Sequence, residues 1–120
     1  MTEPGAAVAF SVAPMMAWAD HHFRSFLRLL TRRTLLYTEM LPAASVVAAA
    51  AHSPGRLAQL LRFDASQHPI AVQLGGRDAA ELAEAARCCA LFGYDEVNLN
   101  VGCPSETVSG HGVYGASLMR

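Results

Sequence analysis

The sequence predicts an α/β protein, and within that class the N-terminal half of a (β/α)8 barrel. Three observations lead there. Short apolar runs suited to strands alternate with helical segments in the order β-α-β-α-β-α-β, with no tight hairpin signal between them. That order makes parallel strands joined by crossover helices. Two of the strands carry amides at alternate positions near their C-terminal ends: Gln73 between Val72 and Leu74, and Asn98 and Asn100 among Val97, Leu99 and Val101. An open sheet covered on both faces would bury those amides at a cost. In a barrel that inward-facing end is where active sites are built. The third observation is length. A complete barrel needs at least ~200 residues, and 120 residues hold about four βα units, so the chain is expected to be a truncated half. The alternative is a small complete α/β domain.

The elements follow from local signals. Residues 1–9 are expected to form a disordered tail. Phe10–Ala13 is an apolar run stopped by Pro14, hence a first strand. Asp20 is an N-cap for a helix over about Asp20–Arg33, with Phe23, Phe26, Leu27 and Leu30 at helical spacing and Arg24, Arg28, Arg32 and Arg33 on its other faces. Leu35–Met40 has the aromatic and β-branched content of a strand. An Ala- and Val-rich helix over Ala43–Ala51 is interrupted by Pro54 and Gly55, with a further turn or two of helix over Arg56–Phe63. Ile70–Leu74 is the third strand. Asp78 and Glu81 form a capping box for the next helix, and Gly93 is its left-handed stop. Leu82, Ala86, Cys89 and Ala90 should be its buried stripe. Val97–Val101 is the fourth strand, followed by a long glycine-punctuated loop.

Composition narrows the function classes. Apolar residues make up 52% and charged residues 16%, which excludes a disordered chain. A net charge of −1 gives no basic field for nucleic acid. All nine basic residues are arginine, so anion recognition within this stretch falls to Arg, backbone N–H groups or neutral donors. Three cysteines are too few and badly spaced for a disulfide framework or a zinc site. No apolar run approaches the ~20 residues of a membrane span, and residues 1–9 lack the charge of a signal peptide. The location expected is cytoplasmic.

Few residues can carry chemistry. Cys103, between Gly102 and Pro104 just past a strand, reads either as a buried structural thiol or as a catalytic group at the cleft. Cys88 and Cys89 read as packing. Gln73, Asn98 and Asn100 could satisfy one another or bind the edge of a flat heteroaromatic ring. Met15 and Met16, after Pro14, could be core or could cover a planar cofactor. Gly110, Gly112 and Gly115 match a dinucleotide fingerprint but follow no strand directly, so a flexible loop is expected. His21 and His22 lack partners at metal-ligand spacing, and no metal is expected.

Four motifs in order carry a resemblance: residues 10–16 (FSVAPMM) with Trp18 and Asp20, residues 35–40 (LLYTEM), residues 72–76 (VQLGG), and above all residues 94–105 (YDEVNLNVGCPS). From about Phe10 onward the chain resembles the tRNA-dihydrouridine synthases, their A-type branch in particular. The resemblance implies that residues 10–120 are part of an FMN-binding (β/α)8 barrel. Its second half and a C-terminal helical domain that grips tRNA would lie outside this chain. It implies Cys103 as catalytic proton donor, Pro14, Met15, Met16 and Gln73 as flavin contacts, and Asn100 near the target base. The implied reaction is reduction of a tRNA uridine by FMN, with NADPH as reductant: hydride goes to C6 and Cys103 protonates C5. Ala17 and Ala19 stand where this branch usually has Asp and Thr, and Ser117 where Cys is common. The flavin's Lys, His and phosphate contacts belong to later strands, so the fragment alone is expected to be inactive and to hold FMN weakly or not at all, and its unpaired edge strands are expected to keep it from folding stably alone. Alternatives are another flavin barrel of the dihydroorotate dehydrogenase type and a non-catalytic remnant.

Overall fold

A computed structural model describes residues 10–105 and 114–119. The tail expected over residues 1–9 and most of the glycine loop lie outside them. The elements are β1 (Ser11–Val12), α1 (His21–Leu30), β2 (Leu35–Pro42), α2 (Ala43–His52), α3 (Pro54–Leu61), β3 (Ile70–Gly75), α4 (Ala79–Leu91) and β4 (Glu96–Leu99), with short 3-10 turns at Ala65–Gln67 and Gly115–Met119. The four strands are all parallel and lie side by side in sequence order. Each helical connection steps to the adjacent strand, as in the first half of a (β/α)8 barrel.

The caps explain where the helices start. Asp20 accepts the Phe23 N–H at 2.8 Å, and Asp78 accepts the Glu81 N–H at 2.8 Å. Pro54 opens α3 at the first helical position, where its missing N–H is harmless. Gly93 sits at φ +90° beyond α4, the left-handed stop its sequence position indicated.

The core lies on the helix side of the sheet. Ile70, Val72 and Leu74 pack with Ala43, Val46, Leu61, Ala85, Cys88, Cys89 and Tyr94. Every residue of β3 is buried. The other face carries Tyr37, Ala71 and Glu96 in one row and Met40, Gln73 and Asn98 in the next. β1 and β4 are the sheet edges, and Val97 and Leu99 on β4 are exposed.

Two side-chain expectations are corrected. In α1 the inward group is Arg24, only 6% exposed, while Phe26 and Leu30 are 59% and 70% exposed. Arg24 turns inward because Gln67 waits there: its Nε donates to Gln67 Oε1 at 3.0 Å. No helix among the described residues covers the flank that carries Phe26 and Leu30. In α4 the buried residues are Ala85, Cys88 and Cys89, and Ala90 faces outward. No helix among the described residues is long and apolar enough to cross a membrane.

Candidate active site

The C-terminal ends of β1, β2, β3 and β4 meet around a cavity of about 260 Å³, lined by Pro14, Met16, Met40, Gln73, Asn100 and Cys103. Five of the six site residues selected from sequence and resemblance meet there, apart from Met15. Met15 is half-exposed and serves the turn after β1, its carbonyl accepting the N–H groups of Trp18 at 3.2 Å and Ala19 at 2.8 Å. None of the lining side chains is charged.

A relay of amides organises the cleft. The N–H groups of Gly102 and Cys103 donate to Asn100 Oδ1 at 3.2 and 3.1 Å. Asn100 Nδ2 donates to Gln73 Oε1 at 3.1 Å, and Gln73 Nε2 donates to Asn98 Oδ1 at 2.9 Å. Every bond in the chain runs in the same sense, so each polarises the next. The amides thus do satisfy one another. They also keep spare capacity: Gln73 Nε2 has a second N–H, and Gln73 Oε1 a second lone pair.

Cys103 is half-buried. Its carbonyl accepts the Ala116 N–H at 2.9 Å, and the Asn100 carbonyl accepts the Gly115 N–H at 3.2 Å. Gly115 sits at φ +63°, and a Cβ there would collide with the Cys103 carbonyl, so the close approach of the two segments requires glycine. Gly75 matters similarly. A Cβ on it would lie 2.7 Å from Met40 Sδ, in the space that sulfur occupies.

The remaining candidates are structural. Cys89 is fully buried, and burial pushes its thiol up to about 11, with Cys88 adding to the effect. His21 Nδ1 lies 3.1 Å from Gln67 Nε2. Among the described residues no cluster of His, Cys, Asp and Glu could hold a metal ion. Met40 was missed as a site residue. Strict alternation along residues 35–40 puts it on the helix face with Leu36, whereas the register pairs it with Gln73.

Neighbouring parallel strands whose C-terminal ends surround a thiol and an amide relay define the N-terminal half of a (β/α)8 barrel with a candidate site at the end where such barrels carry theirs. The chain belongs to the dihydrouridine synthase family: the family's sequence profile matches residues 11–120. It is 53% identical over 118 residues to the tRNA-dihydrouridine(20/20a) synthase of Pseudomonas putida, covering 98% of this chain and 33% of that one. With the synthase of the same name from Escherichia coli K12 the identity is 51% over 110 residues, 92% of this chain and 30% of the relative. The chain therefore spans about a third of the length of the curated relatives it matches.

Proposed function

We propose that this chain supplies the first four βα units, and the proton donor, of an enzyme that reduces uridine to 5,6-dihydrouridine in tRNA in the cytoplasm. FMN is the cofactor and NADPH the reductant in this reading. The observation that supports it best is the gathering of Cys103, Asn100, Gln73, Met16 and Pro14 at one uncharged cleft. The lining fits the ring of a flavin. Pro14 and the Met16 thioether offer apolar faces, and Gln73 has an N–H and a lone pair to spare for a ring edge. It offers no cation for a phosphate. In such barrels that group is held after strands seven and eight, which lie beyond four βα units. In this reading Met15, which serves the turn after β1 outside the cavity lining, reaches the ring only from its edge.

FMN, when bound, supplies the hydride that adds to C6 of the uracil. The rest falls to this chain. Addition at C6 leaves carbanion character at C5, and an acid placed beside C5 completes the reaction. Cys103 Sγ holds that proton. Its loop is fixed by two N–H bonds to Asn100, which borders the target base. The base must leave its stack to enter the cleft, and the tRNA grip comes from a helical domain outside this chain.

A chimera decides the matter: residues 1–120 replacing the corresponding third of the Pseudomonas putida relative. With FMN, NADPH and unmodified tRNA it is expected to form dihydrouridine, whereas the 120-residue chain alone should not. Cys103→Ala in the chimera should slow uracil reduction by roughly 10²–10⁴-fold and leave flavin reduction by NADPH nearly unchanged. A folded, FMN-loaded chimera without activity overturns the reading. Wild-type uracil reduction by Cys103→Ala removes the cysteine from its role.

A further inference from the structure

β2 offers no group with evident chemistry, yet it touches both loops of the cleft. Between the pairs Tyr37–Ala71 and Met40–Gln73, two residues of β2, Thr38 and Glu39, lie opposite the single residue Val72. This is a β-bulge, rare between parallel strands and frequent beside active sites, where it re-aims a side chain. Its three residues have separate partners. Thr38 Oγ1 accepts the Gln73 N–H at 3.3 Å, replacing a ladder bond, and donates to the Glu39 carbonyl at 2.7 Å. The Glu39 carboxylate accepts the Ala17 N–H, in the loop after β1. Met40, turned to the cleft face by the extra residue, brings Sδ 3.5 Å from Asn100 Nδ2.

We propose that the bulge Thr38–Glu39–Met40 is the positioning device of this site. Glu39 fixes the β1 loop that carries Met15 and Met16, and Met40 fixes the amide on which the Cys103 loop hangs. The second link is specific in its polarity. Asn100 Nδ2 faces two acceptors, Gln73 Oε1 and Met40 Sδ, while Asn100 Oδ1 faces two donors, the N–H groups of Gly102 and Cys103. Only one orientation of the amide satisfies all four contacts. Met40 thus favours the orientation that holds Cys103. Gly75 completes the arrangement by leaving the space Met40 Sδ needs. As a role in catalysis this rests on Cys103 being the acid; the mechanical coupling of β2 to the two loops does not.

The coupling is measured on the chimera with the Pseudomonas putida relative by amide hydrogen exchange in NMR, without tRNA or NADPH, a readout independent of any tRNA activity. Failure here therefore leaves the functional reading standing, and the reverse. Thr38→Val removes the capping hydroxyl at nearly constant shape. It should raise exchange at Ala17 and at Gly102 and Cys103 together by about tenfold, with Val72 and Leu74 unchanged as the fold control. Met40→Leu conserves volume but loses the sulfur acceptor. It should raise exchange at Gly102 and Cys103 alone by about two- to fivefold. Gly75→Ala, which displaces Met40, should act on the same two amides, and adding it to Met40→Ala should have no further effect. Unchanged exchange at Gly102 and Cys103 in both Met40→Leu and Gly75→Ala overturns the proposal. So does a uniform rise across β3 in Met40→Leu, which marks Met40 as ordinary packing.

Discussion

At the end of the sheet where the strands begin, charged side chains bind the turns and strand starts to one another, although the buried Arg28 Nε has no partner. Arg28 Nη1 donates to the carbonyls of Thr31 at 3.0 Å and Thr34 at 3.1 Å, and Nη2 to those of Gln67 at 2.8 Å and Pro69 at 3.0 Å. One guanidinium thereby ties the turn before β2 to the turn before β3. Asp95 Oδ2 accepts from His68 Nδ1 at 2.6 Å and from the Ile70 N–H at 2.7 Å. Tyr37 OH donates to Glu96 Oε1 at 3.0 Å. At the opposite end the polar groups that line the cavity are neutral amides and a thiol, with capacity left over, and the Glu39 carboxylate behind them is turned to the Ala17 N–H. The contrast assigns stability to one end and recognition to the other, the division seen across barrel enzymes. Charge with fixed partners defines geometry, whereas an amide with a free N–H can still accept a ligand.

The largest effect that can break this contrast is Arg28→Ala. It takes a donor from four carbonyls, of which that of Pro69 keeps the Leu36 N–H, and hydrogen bonds to a charged group contribute about 1.5–3 kcal/mol. A stability loss of about 2–3 kcal/mol is expected in urea unfolding. Arg28→Lys should recover only part of it, because an ammonium cannot present the planar fork to two turns at once. Neither change should alter the exchange of Gly102 and Cys103 in the folded fraction. If Arg28→Ala loosens the Cys103 loop as much as the turns it joins, the two ends are not separate.

Alkali probes the packed layer between them. Burial raises Cys89 from its ordinary value of 9.0 to about 11 and Tyr94 from 10.0 to about 12, where Tyr94 OH also donates to the Leu61 carbonyl at 3.0 Å. In both cases the native state holds a proton that the unfolded chain gives up. Stability from these groups is full below pH 9 and falls as pH rises, first through the Cys89 window and then through that of Tyr94. By about pH 10.5 the Cys89 share alone is on the order of 2 kcal/mol. Urea midpoints at about pH 8 and about pH 10.5 should show the fall, and Cys89→Ala should reduce it. A midpoint independent of pH over that range shows that this core does not exclude the thiolate.

What the sequence made legible was local. Asp20, Asp78 with Glu81, and Gly93 act within a few residues of themselves, and each cap sits where its spacing placed it. The alternation of Gln73, Asn98 and Asn100 is also local, and it put three amides on the correct face. Distant partners were not legible. Arg24 is buried by Gln67, 43 residues away, and helical periodicity alone assigned it to another face. The bulge hides for a different reason. Residues 35–40 alternate well enough for an unbroken strand, and only pairing with β3 shows that Thr38 and Glu39 share one position. Met40 was therefore not picked out, and the part of the site built on β2 was missed. A Thr before Glu and Met in a strand is too weak a signal to have found it.

The smallest predicted effect bears most directly on why the two ends differ. Ala17 has φ +62° in the loop after β1, a left-handed conformation that disfavours a Cβ by roughly 1–2 kcal/mol. Short polar residues such as Asp tolerate it better. The Ala17 N–H bond to Glu39 holds the residue in this state. Ala17→Gly removes the steric cost but adds chain entropy to the unfolded state, a loss of roughly 0.5–1 kcal/mol. The net expectation is a gain of about 0.5–1 kcal/mol in urea unfolding. The site should not gain with it. Glycine relaxes the loop that carries Met15 and Met16, so exchange at the flanking N–H groups of Met16 and Trp18 should rise even as the whole chain becomes harder to unfold. Those opposite signs would show strain held at the recognition end in exchange for a fixed loop. If Ala17→Gly instead destabilises the chain, the loop is relaxed as it stands, and the recognition end is no more strained than the end that Arg28 closes.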